Sequence, residues 1–154
     1  MDVRMQLAAQ TKLAVFGAFD GVVTVLGAVF PNTGNPHVLL LTCIGLAASG
    51  AVSMGGGELV SDSRAGWAAS SAIGLTTGLG TLVPAAPYLF ARGSAAILLS
   101  LLLCLLVAVG ISWVKTKDGD DPPTFRSAAA QTLSILLAAV AFTLLAAWAT
   151  GAVG

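Results

Sequence analysis

Charge is what this sequence has least of. Only 9% of its 154 residues are Asp, Glu, Lys or Arg, while 56% are hydrophobic. A soluble domain carries about 25% charged residues. So few charges cannot solvate a globular surface, which leaves the bilayer as the natural solvent of one compact membrane domain spanning residues 1–154. The formal net charge is zero, so overall charge points to no nucleic-acid partner. No run of four or more basic residues marks an anionic-lipid patch in the sequence. Alternating period-2 segments are lacking too, which disfavours a β-barrel. The two cysteines, Cys43 and Cys104, share no CxxC spacing, have no histidine nearby and lie inside apolar runs, so they read as small buried hydrophobes. No small-x-small cleavage site closely follows the first apolar run, so a cleaved signal peptide is not expected.

Long apolar runs are what the chain does have. A helix needs about 20 residues to cross a bilayer core, and five segments meet that length: residues 13–30, 38–60, 66–90, 94–114 and 127–150. Pro31-Asn32-Thr33-Gly34-Asn35-Pro36 is a strong turn signal between the first two. Pro84 and Pro87 are placed to kink or end the third near its outer end. The first dozen residues suggest an interfacial helix lying ahead of the first span. The expected fold is therefore an all-α, multi-pass integral membrane protein of five transmembrane helices, in a plasma (inner) membrane. Gly45, Ser49, Ser53 and Gly57 form a ridge at i,i+4 spacing, as do Gly17 with Gly21 and Gly74 with Gly78. Such ridges let helix backbones approach closely in lipid.

The basic residues choose an orientation. With five spans, Arg4, Lys12, Arg64, Lys115, Lys117 and Arg126 share the side of the N-terminus, and Arg92 alone lies opposite. The N-terminus is then cytoplasmic and the C-terminus is on the other side. Trp67 and Trp113 fall at cytoplasmic helix ends, and Tyr88 and Trp148 near the outer face, as interfacial aromatics do.

Two carboxylates break the apolar runs. Asp20 lies in the middle of the first span, where a charge costs roughly 2.5–3.5 kcal/mol on insertion scales and is a functional-site candidate by default. Glu58 lies near the cytoplasmic end of the second span, with Met54 one turn deeper on the same face. Asp20 is eight residues inside Lys12, and Met54 is eight residues inside Asp62. At about 1.5 Å rise per residue, both are expected roughly 12 Å from the cytoplasmic boundary, with Glu58 a turn closer to it. Carboxylate oxygen beside thioether sulfur is a mixed donor set suited to a borderline ion such as ferrous iron, or to manganese or cobalt. Protonation of the carboxylates would weaken binding and couple it to protons. Thr24, one turn from Asp20, can add an oxygen. His37 reads as interfacial, at the outer end of the second span.

These residues also form motifs. Phe19-Asp20-Gly21-Val22-Val23-Thr24 resembles the Asp-Gly-Leu-Val-Thr signature of the vacuolar iron transporter (VIT) family. The stretch from Gly45-Leu46-Ala47 through Ser53-Met54-Gly55-Gly56-Gly57-Glu58-Leu59-Val60-Ser61 resembles that family's second helix, and Gly78-Leu79-Gly80-Thr81-Leu82-Val83-Pro84-Ala85-Ala86-Pro87-Tyr88 its third. The resemblance implies a five-helix protomer in a homodimer. It implies antiport of ferrous iron, often manganese, out of the cytosol in exchange for protons, with no permanently bound cofactor. The family's metal-site aspartate, methionine and glutamate would fall on Asp20, Met54 and Glu58. The chain departs from the family pattern in four places. Gly55-Gly56-Gly57 is richer in glycine, and the fifth helix is rich in alanine where the family often has glycine. Leu59 replaces an aromatic, and only Asp62, Ser63, Arg64 and Ala65 stand where many members insert a cytosolic metal-collecting domain. That last departure keeps two alternatives open. One is a membrane-embedded enzyme using Asp20 as general acid on a lipophilic substrate. The other is an accessory subunit of a larger membrane complex. The transporter reading is preferred to both.

Overall fold

The computed structural model describes residues 3–29, 35–61, 66–117 and 122–149. Outside them lie most of the turn expected at residues 31–36, the link at 62–65 with Arg64, and residues 118–121 of the charged loop. The described chain consists of five long helices and no strand: α1 (Val3–Val29), α2 (Pro36–Ser61), α3 (Trp67–Ala85), α4 (Gly93–Lys115) and α5 (Phe125–Ala149), with a short 3-10 turn at Ala86–Leu89 between α3 and α4. Four are long and apolar enough to cross a membrane: α1 over Gln10–Val29, α2, α4 and α5. The expected interfacial helix is not separate. Nothing in Gln10-Thr11-Lys12 breaks a helix, and α1 runs through it without interruption.

α3 is not among those four, although it is the hub of the bundle. The densest contacts in the molecule are those of α3 with α1 and with α2. Its buried positions are Ser70, Ile73, Gly74, Thr77, Gly78, Gly80, Thr81, Pro84 and Ala85. These hydroxyls lower its apolarity, yet they make little demand on the surroundings. Thr77 Oγ1 donates to the Ile73 carbonyl at 2.8 Å and Thr81 Oγ1 to the Thr77 carbonyl at 2.9 Å. Ser70 Oγ instead crosses to α2 and donates to the Gly55 carbonyl at 2.6 Å. Pro84 has no N–H to continue the helical ladder. The helix ends one residue later, and Ser100 of α4 donates to the Pro84 carbonyl at 2.7 Å.

The packing is inverted relative to a soluble protein. Much of what is buried is small: Cys43, Ala47, Ala96, Ser100, Cys104, Ala108, Ser112, Ala128 and Thr132. Large side chains such as Leu41 (70% exposed), Phe142 (73%) and Trp148 (76%) point outward. Water would penalise that surface, but lipid does not, and helix association in lipid rests on small residues that let backbones meet.

The closest approaches are at glycine. A Cβ on Gly17 would stand 2.5 Å from the Ile73 carbonyl oxygen, and one on Gly74 would stand 2.6 Å from the Ala51 carbonyl oxygen. A Cβ on Gly21 would run into the backbone of Thr77. The α4–α5 hairpin joins this block through side chains instead: Val22 and Leu26 of α1 meet Cys104, Ala108 and Leu136. On another face of α1, Val25, Val29, Leu39, Cys43, Ala85, Tyr88 and Ala96 close a second cluster.

Gly21→Ala is therefore expected to destabilise the fold by about 1–3 kcal/mol, the usual cost of forcing an extra group into a packed core. Gly110→Ala, where a Cβ meets nothing within 4 Å, should leave stability unchanged or slightly raised. Thermal unfolding in one detergent compares the two; equal midpoints would show that the α1–α3 contact is not close-packed.

Candidate functional site

Asp20 belongs to α1 and is half-buried. Its i,i+4 neighbours are Phe16, 56% exposed, and Thr24, also exposed. The stripe 16–20–24 thus faces away from α3, which takes Gly17 and Gly21, and its Phe16 end borders α4 and α5 across a cavity. The intramembrane carboxylate sits on an outward edge of the bundle, not in its centre.

On α2, Gly50, Met54 and Glu58 form another i,i+4 stripe, and all three are half-buried. It flanks the line Ala47–Ala51–Gly55 that packs on α3. A Cβ on Gly50 would stand 3.3 Å from Thr77 Cγ2. The glycines on α3 fix how α1 and α2 are staggered. The Thr77 side chain is bracketed by Gly17 of α1, 2.8 Å from a Cβ to its Oγ1, and by Gly50 of α2. Asp20 lies three residues beyond Gly17 toward the far end, and Met54 lies four residues beyond Gly50 toward the near end. Allowing for the further contact of Gly21 with the Thr77 backbone, Asp20 and Met54 differ in level by roughly 5–10 Å, and Glu58 is another turn away. The common depth expected for Asp20 and Met54 is not kept. Loop lengths and boundary charges suggested it, but the register is set by where the glycines fit on α3. Glu58, Met54 and Asp20 form a ladder along the α1 and α2 helices rather than one chelate. Among the described residues no group of three or more His, Cys, Asp or Glu side chains could hold a metal ion; Asp20, Glu58 and Met54 bring only two such side chains, so this does not bear on whether they converge.

The structure also contains a cavity of about 440 Å³ that the sequence did not announce. It opens between the first half of α1, the end of α4 and the start of α5. Lys12, Lys115 and Gln131 supply its polar side, and Lys115 Nζ donates to Gln131 Oε1 at 3.1 Å. Phe16, Phe19 and Ile135 supply much of its apolar wall. Among the described residues no carboxylate lines it. The only signal in the sequence was that Lys12, Lys115 and Gln131 each lie near the same end of an apolar run. In the sequence Lys12 marks orientation and a membrane boundary, and Lys115 marks orientation.

No family model, no curated protein and no solved structure matches this chain. The resemblance to vacuolar iron transporters therefore rests on the motifs around Asp20, Met54 and Pro84.

The stagger is open to direct measurement. In a background of Cys43→Ser and Cys104→Ser, single replacements Glu58→Cys, Met54→Cys and Asp20→Cys should react with a membrane-impermeant thiol reagent, applied from the Lys12 side, at rates that fall in that order. Equal rates at positions 54 and 20 would restore the common level.

Proposed function

We propose that this chain is a proton-coupled exporter of a divalent transition metal, moving ferrous iron, with manganese as a second cargo, out of the cytosol. The observation that carries the reading is the ladder of Glu58, Met54 and Asp20 on α1 and α2. A resident metal wants three or four donors at one point. A cargo ion must leave again, and weak, few-donor stations at successive levels suit it. Glu58 receives the ion from the cytosolic end, Met54 offers a soft donor a turn deeper, and Asp20 holds the ion farthest in. Carboxylates bind metal only when deprotonated, so proton arrival at Asp20 or Glu58 releases the ion and returns the charge. The ion is substrate, and no permanent cofactor is needed.

Orientation and assembly complete the proposal. α3 is the fifth span, shielded from lipid on the side where α1 and α2 cover it. The N-terminus is cytoplasmic and the C-terminus is opposite, in a plasma (inner) membrane, which puts Lys12 and Lys115 at the cytosolic end. The protein works as a homodimer. A half-buried carboxylate on an outward stripe needs cover in a bilayer. α2 also presents Gly45, Ser49, Ser53, Gly56 and Gly57 outward; at Gly45, Gly56 and Gly57 an added Cβ would meet nothing within 4 Å. A second copy meets both needs. The enzyme alternative gains nothing from the 440 Å³ cavity, which Asp20 does not line.

Reconstitution in liposomes tests the function. With an acidic lumen and an internal ferrous-iron or manganese indicator, wild-type protein should carry metal inward and protons outward. Asp20→Ala should reduce flux to that of empty liposomes, and Glu58→Gln should slow loading. Wild-type flux no greater than that of Asp20→Ala would overturn the proposal.

A further inference from the structure

Two glycines of α2 are not required by the packing of the helix. At Gly56 and Gly57 an added Cβ would meet nothing within 4 Å, and both positions are exposed. Gly55, just before them, is different. It is the last buried residue of α2, and a Cβ there would stand 2.9 Å from the Ser70 carbonyl oxygen. Glycine is the weakest helix former after proline. A pair of glycines where side chains have room leaves the helix formed but easy to bend.

The two sides of this pair are held very differently. On the Met54 side, Ser70 Oγ of α3 donates to the Gly55 carbonyl at 2.6 Å, and Gly55 and Gly74 meet backbone to backbone. On the other side no residue from Gly56 to Ser61 is buried, and Val60 is 89% exposed. That end of the helix carries Glu58. Few buried contacts mark a segment that moves locally at low cost.

The position of the pair matters because of what it separates. Met54 and Glu58 stand one turn apart on one face of α2. Two donors at i,i+4 on a rigid helix hold a metal ion between them, as histidines at that spacing do. A cargo ion has to be let go. We infer that Gly56-Gly57 is a hinge: with Ser70 pinning the helix behind it, the end 56–61 swings Glu58 toward and away from Met54. The two donors then close on the ion together and part to release it. Ser70 is a positioning residue that acts through Gly55. The purpose of the motion rests on the transport reading, but the hinge itself does not. A second copy packed on α2 makes a different demand on the same glycines, since a dimer contact needs them small and a hinge needs them flexible.

The test uses the full chain, in detergent for hydrogen exchange and manganese binding and in liposomes for flux. Gly56→Ala with Gly57→Ala should slow amide exchange at residues 58–61 roughly 30-fold, from the helix propensity gained at two positions. Ser70→Ala should spread fast exchange back to Met54. The alanine pair should bind manganese at least as tightly as wild type while metal flux falls severalfold, a split that mere loss of structure would not produce. It should also keep the oligomeric state of the wild type. Gly110→Ala should change none of these readouts. Unchanged exchange at 58–61, wild-type exchange at Met54 in the Ser70 variant, undiminished flux, weaker manganese binding, dissociation of the alanine pair, or an equal loss of flux in Gly110→Ala would each overturn the inference. If wild-type protein carries no metal but exchange slows as expected, the transport reading falls and the hinge stands.

Discussion

The fit of α1 and α2 onto α3, backbone against backbone, is the constraint from which the rest of the molecule follows. In lipid, apolar side chains gain little by leaving their surroundings for one another. Helices are instead held by dispersion between closely packed atoms and by the few polar groups that pair across the contact. Glycine at positions 17, 21 and 74 removes the atoms that would hold the backbones apart. Ser70 then adds a single cross-helix hydrogen bond to the Gly55 carbonyl. Because the small residues are spent inside, the large ones are left outside, and the hydrocarbon-rich exterior suits the membrane. The same fit sets the stagger of α1 against α2, and with it the spacing of Asp20, Met54 and Glu58.

Much of the fold was legible in the sequence, for identifiable reasons. The apolar runs were long and bounded by Pro31-Asn32-Thr33-Gly34-Asn35-Pro36, by the Pro84–Pro87 region and by the charged loop after Lys117, so five long helices could be placed to within a few residues except at the start of α1. That start was misread because Lys12 looked like a membrane boundary; a boundary for charge is not a boundary for helix. α3 was expected as one of five spans, but it is not among the four helices apolar enough to cross a membrane. Its serines and threonines make its composition more polar than its environment, although most of its hydroxyls bond back to the helix itself.

The candidate site was legible residue by residue but not as an arrangement. Asp20 stood out because a carboxylate is costly in an apolar run, and Glu58 and Met54 stood out through their helical spacing. Their relative depth depends on contacts each helix makes with a third, and neither loop length nor flanking charge encodes those. The lysine-lined cavity depends on residues from three helices at once, which sequence spacing cannot reveal. The two features adjoin on α1: Phe16, one turn before Asp20, lines the cavity, and Asp20 does not.

The glycine notches also divide the molecule mechanically. Sliding α1 or α2 along α3 would lift each notch off the carbonyl it accommodates and drive a neighbouring Cβ into backbone, so the three-helix block resists shear in steps of less than about one helical turn. The α4–α5 hairpin has no such teeth against α1, where side chains including Val22, Leu26, Cys104, Ala108 and Leu136 meet, and Ser100 ties it to α3 at the Pro84 carbonyl. The three-helix block is thus the stiffer part of the molecule and holds Asp20 and Met54 at fixed heights, and the seam between α1 and the hairpin is the more compliant.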